Sequence, residues 1–175
     1  VKPRAFELQP GLPPEGAPRS FYENKFGGRT RMEMMFARVA EVGRAEGITF
    51  DFDRIHAPNT RLGHRIIALA DAVGAAEAAL DALFRGHFEE GANVSNLDEA
   101  LAVLARHDVP VDLDDLRVRL QTGEATDTVL EDERLAAELG ISGVPFFIAD
   151  GRLGMSGAQS LETFRAFLGQ ARAGS

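Results

Sequence analysis

The stretch Gly140–Phe164, GISGVPFFIADGRLGMSGAQSLETF, decides the fold. It reads as turn, proline, strand, tight turn, strand, helix. Pro145 precedes FFIA, and a short unbroken apolar run marks a strand buried on both faces. Proline removes a ladder donor, so it is tolerated at the first residue of such a strand and not inside it. Gly143 supplies the sharp approach. An X-Pro bond is also the common place for a cis peptide, at a cost of about 0.5–1 kcal/mol. On these residues alone, Gly143-Val144-Pro145 is a loop-to-strand boundary with the isomer undecided. Asp150-Gly151 is a hairpin turn and LGMSG the return strand. Ser160 caps a final helix whose Leu161, Phe164 and Leu168 are expected to pack inward.

Working outward, residues 1–9 (VKPRAFELQ) alternate loosely, with Pro3, Ala5 and then Phe6 and Leu8, and predict a short strand. Residues 10–18 (PGLPPEGAP) hold four prolines, which favours a loop on a fixed path. From there to about residue 139 the period is helical. Thr30 with Glu33 has the spacing of a capping box, opening a helix with Met32, Met35, Phe36 and Val39 on one stripe and Gly47 as its stop. ITFDF (48–52) alternates and predicts a short extended piece. Asn59 or Thr60 caps the next helix, with Leu62, Ile66, Leu69 and Val73 inward and Gly74 as the stop. Leu80, Leu83, Phe84 and Phe88 mark another, ended by Gly91. Asn96 with Glu99 opens one carrying Leu97, Leu101 and Leu104, and Leu113, Leu116 and Leu120 mark one more. Thr126 or Asp127 opens the last of the run, with Glu131, Asp132 and Glu133 suiting its first turns and Gly140 ending it. No repeat at a fixed period is visible.

Composition narrows the function. The 175 residues are 45% hydrophobic, enough for a real core, and the formal charge of −8 speaks against a nucleic-acid or anionic-membrane partner. No apolar run approaches the roughly 18–20 residues of a membrane span, and the first residues carry no signal-peptide pattern. There is no cysteine, hence no disulfide framework, thiolate metal site or thiol nucleophile among these residues. His56, His64, His87 and His107 lack zinc-ligand spacing, so no metal is expected. Asp114-Asp115 reads as a solvated helix face. The Asn-Val-Ser sequon at 93–95 has no sign of secretion beside it.

Taken in order, FELQPGLPPEG, KFGG, GITFDFDRIHAPNTRLGHR, HFEEGANVSNLDEAL, GISGVPFFI and SGAQSLETF resemble the DsbA-like oxidoreductases of the FrnE type over nearly the whole chain. The resemblance implies an α/β, thioredoxin-like fold with a large all-helical insertion. Residues 1–17 and 140–175 would form the thioredoxin-like part, and residues 18–139 the helical insertion. It further implies that Pro145 is a cis-proline facing a Cys-x-x-Cys pair on a strand-helix unit of about 30–40 residues. That unit would precede residue 1, with its strand lying between residues 1–9 and 146–149. Because residue 1 is Val, three readings are open. The sequence is a fragment, the opening segment is excluded from it, or another chain supplies the strand.

The implied activity is thiol–disulfide exchange on a protein or small-thiol substrate in the cytoplasm. These residues would supply only the substrate-facing scaffold and be inactive as given, with a homodimer left open. The implied substrate-binding residues are Val144 and Pro145, with Asn59, Thr60 and His64 at a helix start and Gly157, Ala158 and Gln159 in the turn before the last helix. No residue of this chain is assigned a catalytic role. For Asn59, a plain helix cap is the competing reading. The related kappa-class glutathione transferases and chromene-carboxylate isomerases meet a glutathione carboxylate near SGAQ (156–159). Glutathione is therefore the alternative ligand, and a glutathione-dependent isomerase or transferase the alternative function. A non-enzymatic peptide-binding module is the third.

Overall fold

The computed structural model describes residues 2–173, which gather into two compact units divided near residue 131. The first unit is helical: α1 (Ser20–Lys25), α2 (Arg29–Ala45), α3 (Arg61–Asp71), α4 (Ala76–Phe88), α5 (Leu97–Arg106) and α6 (Leu113–Gln121). Helix α7 (Thr126–Glu138) begins in the first unit and ends in the second, which adds β1 (Phe146–Ala149), β2 (Leu153–Ser156) and α8 (Leu161–Ala173).

Helices α3 to α6 form the main core. Ile66, Leu69, Leu83, Leu101, Val103, Leu104, Leu116 and Leu120 are buried together, each contributed at helical spacing. The caps are local and legible. Asn96 Oδ1 accepts from the amides of Asp98 and Glu99, and Asp112 Oδ1 does the same for Asp114 and Asp115. Gly86 lets α4 approach α5, because a Cβ there would lie 2.6 Å from both Val103 methyl carbons. Arg65 ties α3 to the end of α6, donating from Nε to Glu124 O (2.8 Å) and from Nη2 to Leu120 O (2.6 Å).

A second, aromatic cluster joins α1, α2 and the segment that follows them. Met32, Phe36 and Ile55 are buried there, and Phe36, Phe52 and Phe50 stack in series at 4.3 and 5.0 Å. This cluster decides which face of α2 turns inward. Met32 and Phe36 are buried, whereas Met35 and Val39, expected on the same stripe, are exposed with Met34 and Val42. Val73 and Phe84 also lie exposed at the edges of their predicted stripes. The helix expected to be capped by Thr30 begins instead at Arg29 after Gly28, with no side-chain cap, and Glu33 pairs with Arg29 Nε at 2.7 Å.

Neither residues 2–9 nor 48–52 form a strand. Alternation is a property of one segment, but a strand needs a ladder. Among the described residues, segment 48–52 has one backbone bond to a distant segment, Asp51 N to Phe88 O at 2.7 Å. In residues 2–9 the inward positions are Ala5 and Glu7, both buried, while Leu8 points to solvent.

In the second unit β1 and β2 pair antiparallel in the register Phe146↔Ser156 and Phe147↔Met155, turning through Asp150 and Gly151, both at positive φ. Ser160 Oγ accepts from Thr163 N (3.2 Å), capping α8 as its sequence predicts. Phe147 meets Phe164 edge-on at 4.8 Å, which fixes α8 on one sheet face. FFIA is therefore not buried on both faces: Ile148, on the other face, is exposed, as are Leu161 and Leu168 of α8, which were expected to pack inward. A two-stranded sheet with one helix against it has one covered face, and only Phe164 of the predicted α8 stripe reaches it.

Candidate functional site

In the first unit the candidate residues Asn59, Thr60 and His64 converge on the start of α3, and the N-terminal segment is laid across them. Asn59 is buried and uses both ends of its amide. Its Oδ1 accepts from Arg61 N at 3.1 Å, and its Nδ2 donates to Leu12 O at 2.8 Å. It therefore does the capping that Thr60, at the formal cap position without a side-chain bond, does not. His64 Nε2 lies 3.2 Å from Phe6 O, and Ser95 Oγ donates to Asn59 O at 3.2 Å. Three backbone stretches thus meet on one helix start.

Two residues that the sequence reading passed over complete this arrangement. The Glu7 side chain is only 1% exposed, and its Oε2 accepts from Arg61 Nε (3.1 Å) and Nη2 (2.8 Å). Its Oε1 is buried and has no hydrogen-bond partner among the described residues. An acid at an inward position of an alternating segment, two after Ala5, was the available signal.

Asn59→Ala is expected to lower stability by about 2 kcal/mol, a lost cap plus an orphaned Leu12 carbonyl. Asn59→Asp keeps the cap oxygen and should cost less. Urea melts of the two variants compare them, and equal losses would mean that the cap contributes nothing.

In the second unit Val144, Pro145 and the 157–159 turn are joined directly. Gly157 N donates to Pro145 O at 2.8 Å, and Gly157 sits at positive φ. The Val144–Pro145 peptide bond is cis, and Val144 is 48% exposed. Pro145 O and Ala149 O both accept from the β2 side, so by the period of two the amide and carbonyl groups of Phe146 and Ile148 point to the other edge of β1. Among the described residues β2 is the one strand paired with β1. Gln159 Nε2 turns back to Ser156 O (2.8 Å), and Ala158 is exposed. What the second unit offers is an apolar side chain beside a strand edge with outward-pointing backbone donors and acceptors.

Among the described residues no group of three or more His, Cys, Asp or Glu side chains is arranged to hold a metal ion, and no helix is long and apolar enough to cross a membrane.

The family described as DSBA-like thioredoxin domain matches residues 1–169. A solved structure from Streptomyces coelicolor, titled a probable DsbA oxidoreductase, superposes with a TM-score of 0.86 at 31% identity. That match covers 97% of this chain and 74% of the other. No curated protein matches the chain. The helix-rich chain with its small two-stranded sheet thus has a thioredoxin-like fold with a helical insertion. The chain belongs to the DSBA-like thioredoxin domain family.

Proposed function

We propose that residues 1–175 are the substrate-facing scaffold of a thiol–disulfide oxidoreductase of the FrnE type, whose cysteine pair lies outside these residues. The observation that carries this reading is a family match across residues 1–169 in a sequence with no cysteine. Exchange requires a thiolate that attacks one sulfur of a disulfide, forms a mixed disulfide and expels the other sulfur as thiolate. A second thiol then displaces the substrate. Residues 1–175 can do neither step by themselves, but they can hold the polypeptide that carries the reacting sulfur. Val144 supplies an apolar contact, and the outer edge of β1 supplies main-chain hydrogen bonds to an extended segment. Within the first unit, Thr60 and His64, with Asn59 as the buried cap of α3, are read as a separate candidate surface, and within the second unit Gly157, Ala158 and Gln159 as the support of the proline loop. The substrate is a protein or small-molecule disulfide, and the setting is read as cytoplasmic.

The test compares purified residues 1–175 with the longest gene product that contains them. The first should leave insulin disulfides untouched in dithiothreitol beyond the uncatalysed rate. The second should hold two titratable thiols and accelerate the reduction. A longer product without thiols, or one active only with glutathione in an isomerisation, would overturn the reading. In the active product Val144→Asp should raise KM for an apolar peptide disulfide about tenfold, about 1.4 kcal/mol, with turnover of a small dithiol unchanged.

A further inference from the structure

Helix α2 is covered on one side. Its buried residues are Met32, Phe36 and Gly43, which face α1 and the aromatic cluster, and a Cβ at Gly43 would lie 2.4 Å from the Phe50 ring. On the adjoining side, Met35, Val39 and Val42 follow one another at helical spacing and are all exposed, Val42 to 62%. Arg31 lies one turn before this stripe and Glu46 one turn after it, both exposed. One helix face therefore carries a cation at one end, an anion at the other and apolar side chains between them. Arg29 and Glu33 pair with one another at 2.7 Å, whereas Arg31 and Glu46 have no ion-pair partner among the described residues.

We propose that this face of α2 docks a second copy of the chain, the two α2 helices lying antiparallel across one another. The stripe is complementary to itself in that direction. Arg31 and Glu46 stand equally far from the point midway between Arg38 and Val39, and so do Met35 and Val42. A twofold axis through that point sets Met35 on the second copy's Val42 and Arg31 against the second copy's Glu46, each contact made twice. Arg38 lies beside the axis and meets its own equivalent there. Glu41 is on the same side of the stripe in both copies, so these two cations are flanked by two anions.

Charge selects this occupant. The chain as a whole carries −8, which sets two copies against one another, but Arg31, Arg38, Glu41 and Glu46 on this face sum to zero. A partner of a single sign would leave one end of the stripe facing like charge. A second copy brings both signs in reverse order. The contact runs from Arg31 to Glu46, roughly 22 Å of helix, which is small beside the roughly 1,200–2,000 Å² of a specific, stable interface. The pair is accordingly reversible, with a dissociation constant of about 10–100 μM that rises with added salt. The inference stands on the helical unit alone and does not depend on the thiol chemistry.

Sedimentation equilibrium of residues 1–175 from about 5 to 500 μM should show monomer passing into dimer. Val42→Asp, at an exposed position, should raise the dissociation constant at least about tenfold. Arg31→Glu and Glu46→Arg should each do the same, since the first sets carboxylate against carboxylate at both ends and the second guanidinium against guanidinium. An equimolar mixture of these two variants should pair again, as one copy of each, with opposite charges restored at both ends. Circular dichroism shows that each variant keeps its helices. A wild type that stays monomeric throughout overturns the proposal. So does a dimer that all three substitutions leave unchanged, or a mixture of the two charge variants that stays monomeric. A longer gene product that is monomeric where residues 1–175 pair overturns it as well, because the face is then taken by that product's own further residues.

Discussion

Leu104→Ala is expected to lower the unfolding free energy by about 2–5 kcal/mol, the range for a leucine truncated in a packed core. Leu104 is fully buried in α5, in one cluster with Ile66, Leu83 and Leu116 of α3, α4 and α6 and with Leu101 of its own helix. Its neighbours belong to four different helices and cannot all collapse onto the space left, so the cavity cost adds to the lost transfer energy. For a chain of this size the loss should appear as a fall in Tm of roughly 5–15 °C. Val118→Ala on α6 is the control, because Val118 is 59% exposed and should change stability by less than about 0.5 kcal/mol. Thermal melts followed by circular dichroism make the comparison. If the two variants melted together, the α3 to α6 cluster would not be the core that holds the chain folded.

That cluster was readable from the sequence because its signals are local. Leucines at three- and four-residue spacing, Asn96 with its acids one turn on, and a glycine after α3, α4 and α6 specify these helices without reference to anything distant. Helix α2 shows where this stops. It has apolar residues on two faces, and nothing within it says that Met32 and Phe36 rather than Met35 and Val39 turn inward. The choice is made by Phe52 and Tyr22, which lie outside the helix. The β elements fail for the related reason that pairing is not written in one segment. VKPRAFELQ alternates, and FFIA is as apolar as a doubly covered strand, yet ladder partners and covering helices are supplied by other parts of the fold. Of the candidate site, Asn59 could be found from the residues beside it. Glu7 offered only its inward place in an alternating segment, and its role stayed hidden because its partner Arg61 is 54 positions away and a carboxylate is ordinarily expected in solvent.

The Glu7–Arg61 pair carries the other large expected effect. Its two ends are unequal: the carboxylate is 1% exposed, whereas the guanidinium is 41% exposed. Truncating the exposed end should therefore do the greater harm. Arg61→Ala strips both hydrogen bonds from Glu7 Oε2 and leaves a buried carboxylate whose other oxygen already lacks a partner. The expected loss is about 3–5 kcal/mol, the usual penalty for one partner of a buried ion pair left behind. Glu7→Gln in the wild-type background removes the buried charge and leaves Arg61 able to reach solvent, so it should cost less. Replacing both, as Glu7→Met with Arg61→Leu, should recover part of the Arg61→Ala loss, because desolvation of the carboxylate vanishes with it. A double-mutant cycle in urea measures these terms. The same pair fixes residues 5–8 against the start of α3, where Phe6 O meets His64 and Leu12 O meets Asn59. Arg61→Ala should consequently raise proteolytic cutting within residues 2–12 before it exposes the α5 core. An Arg61→Ala protein as stable as the wild type, or one cut first in α5, would mean that the N-terminal segment is held by its backbone bonds alone.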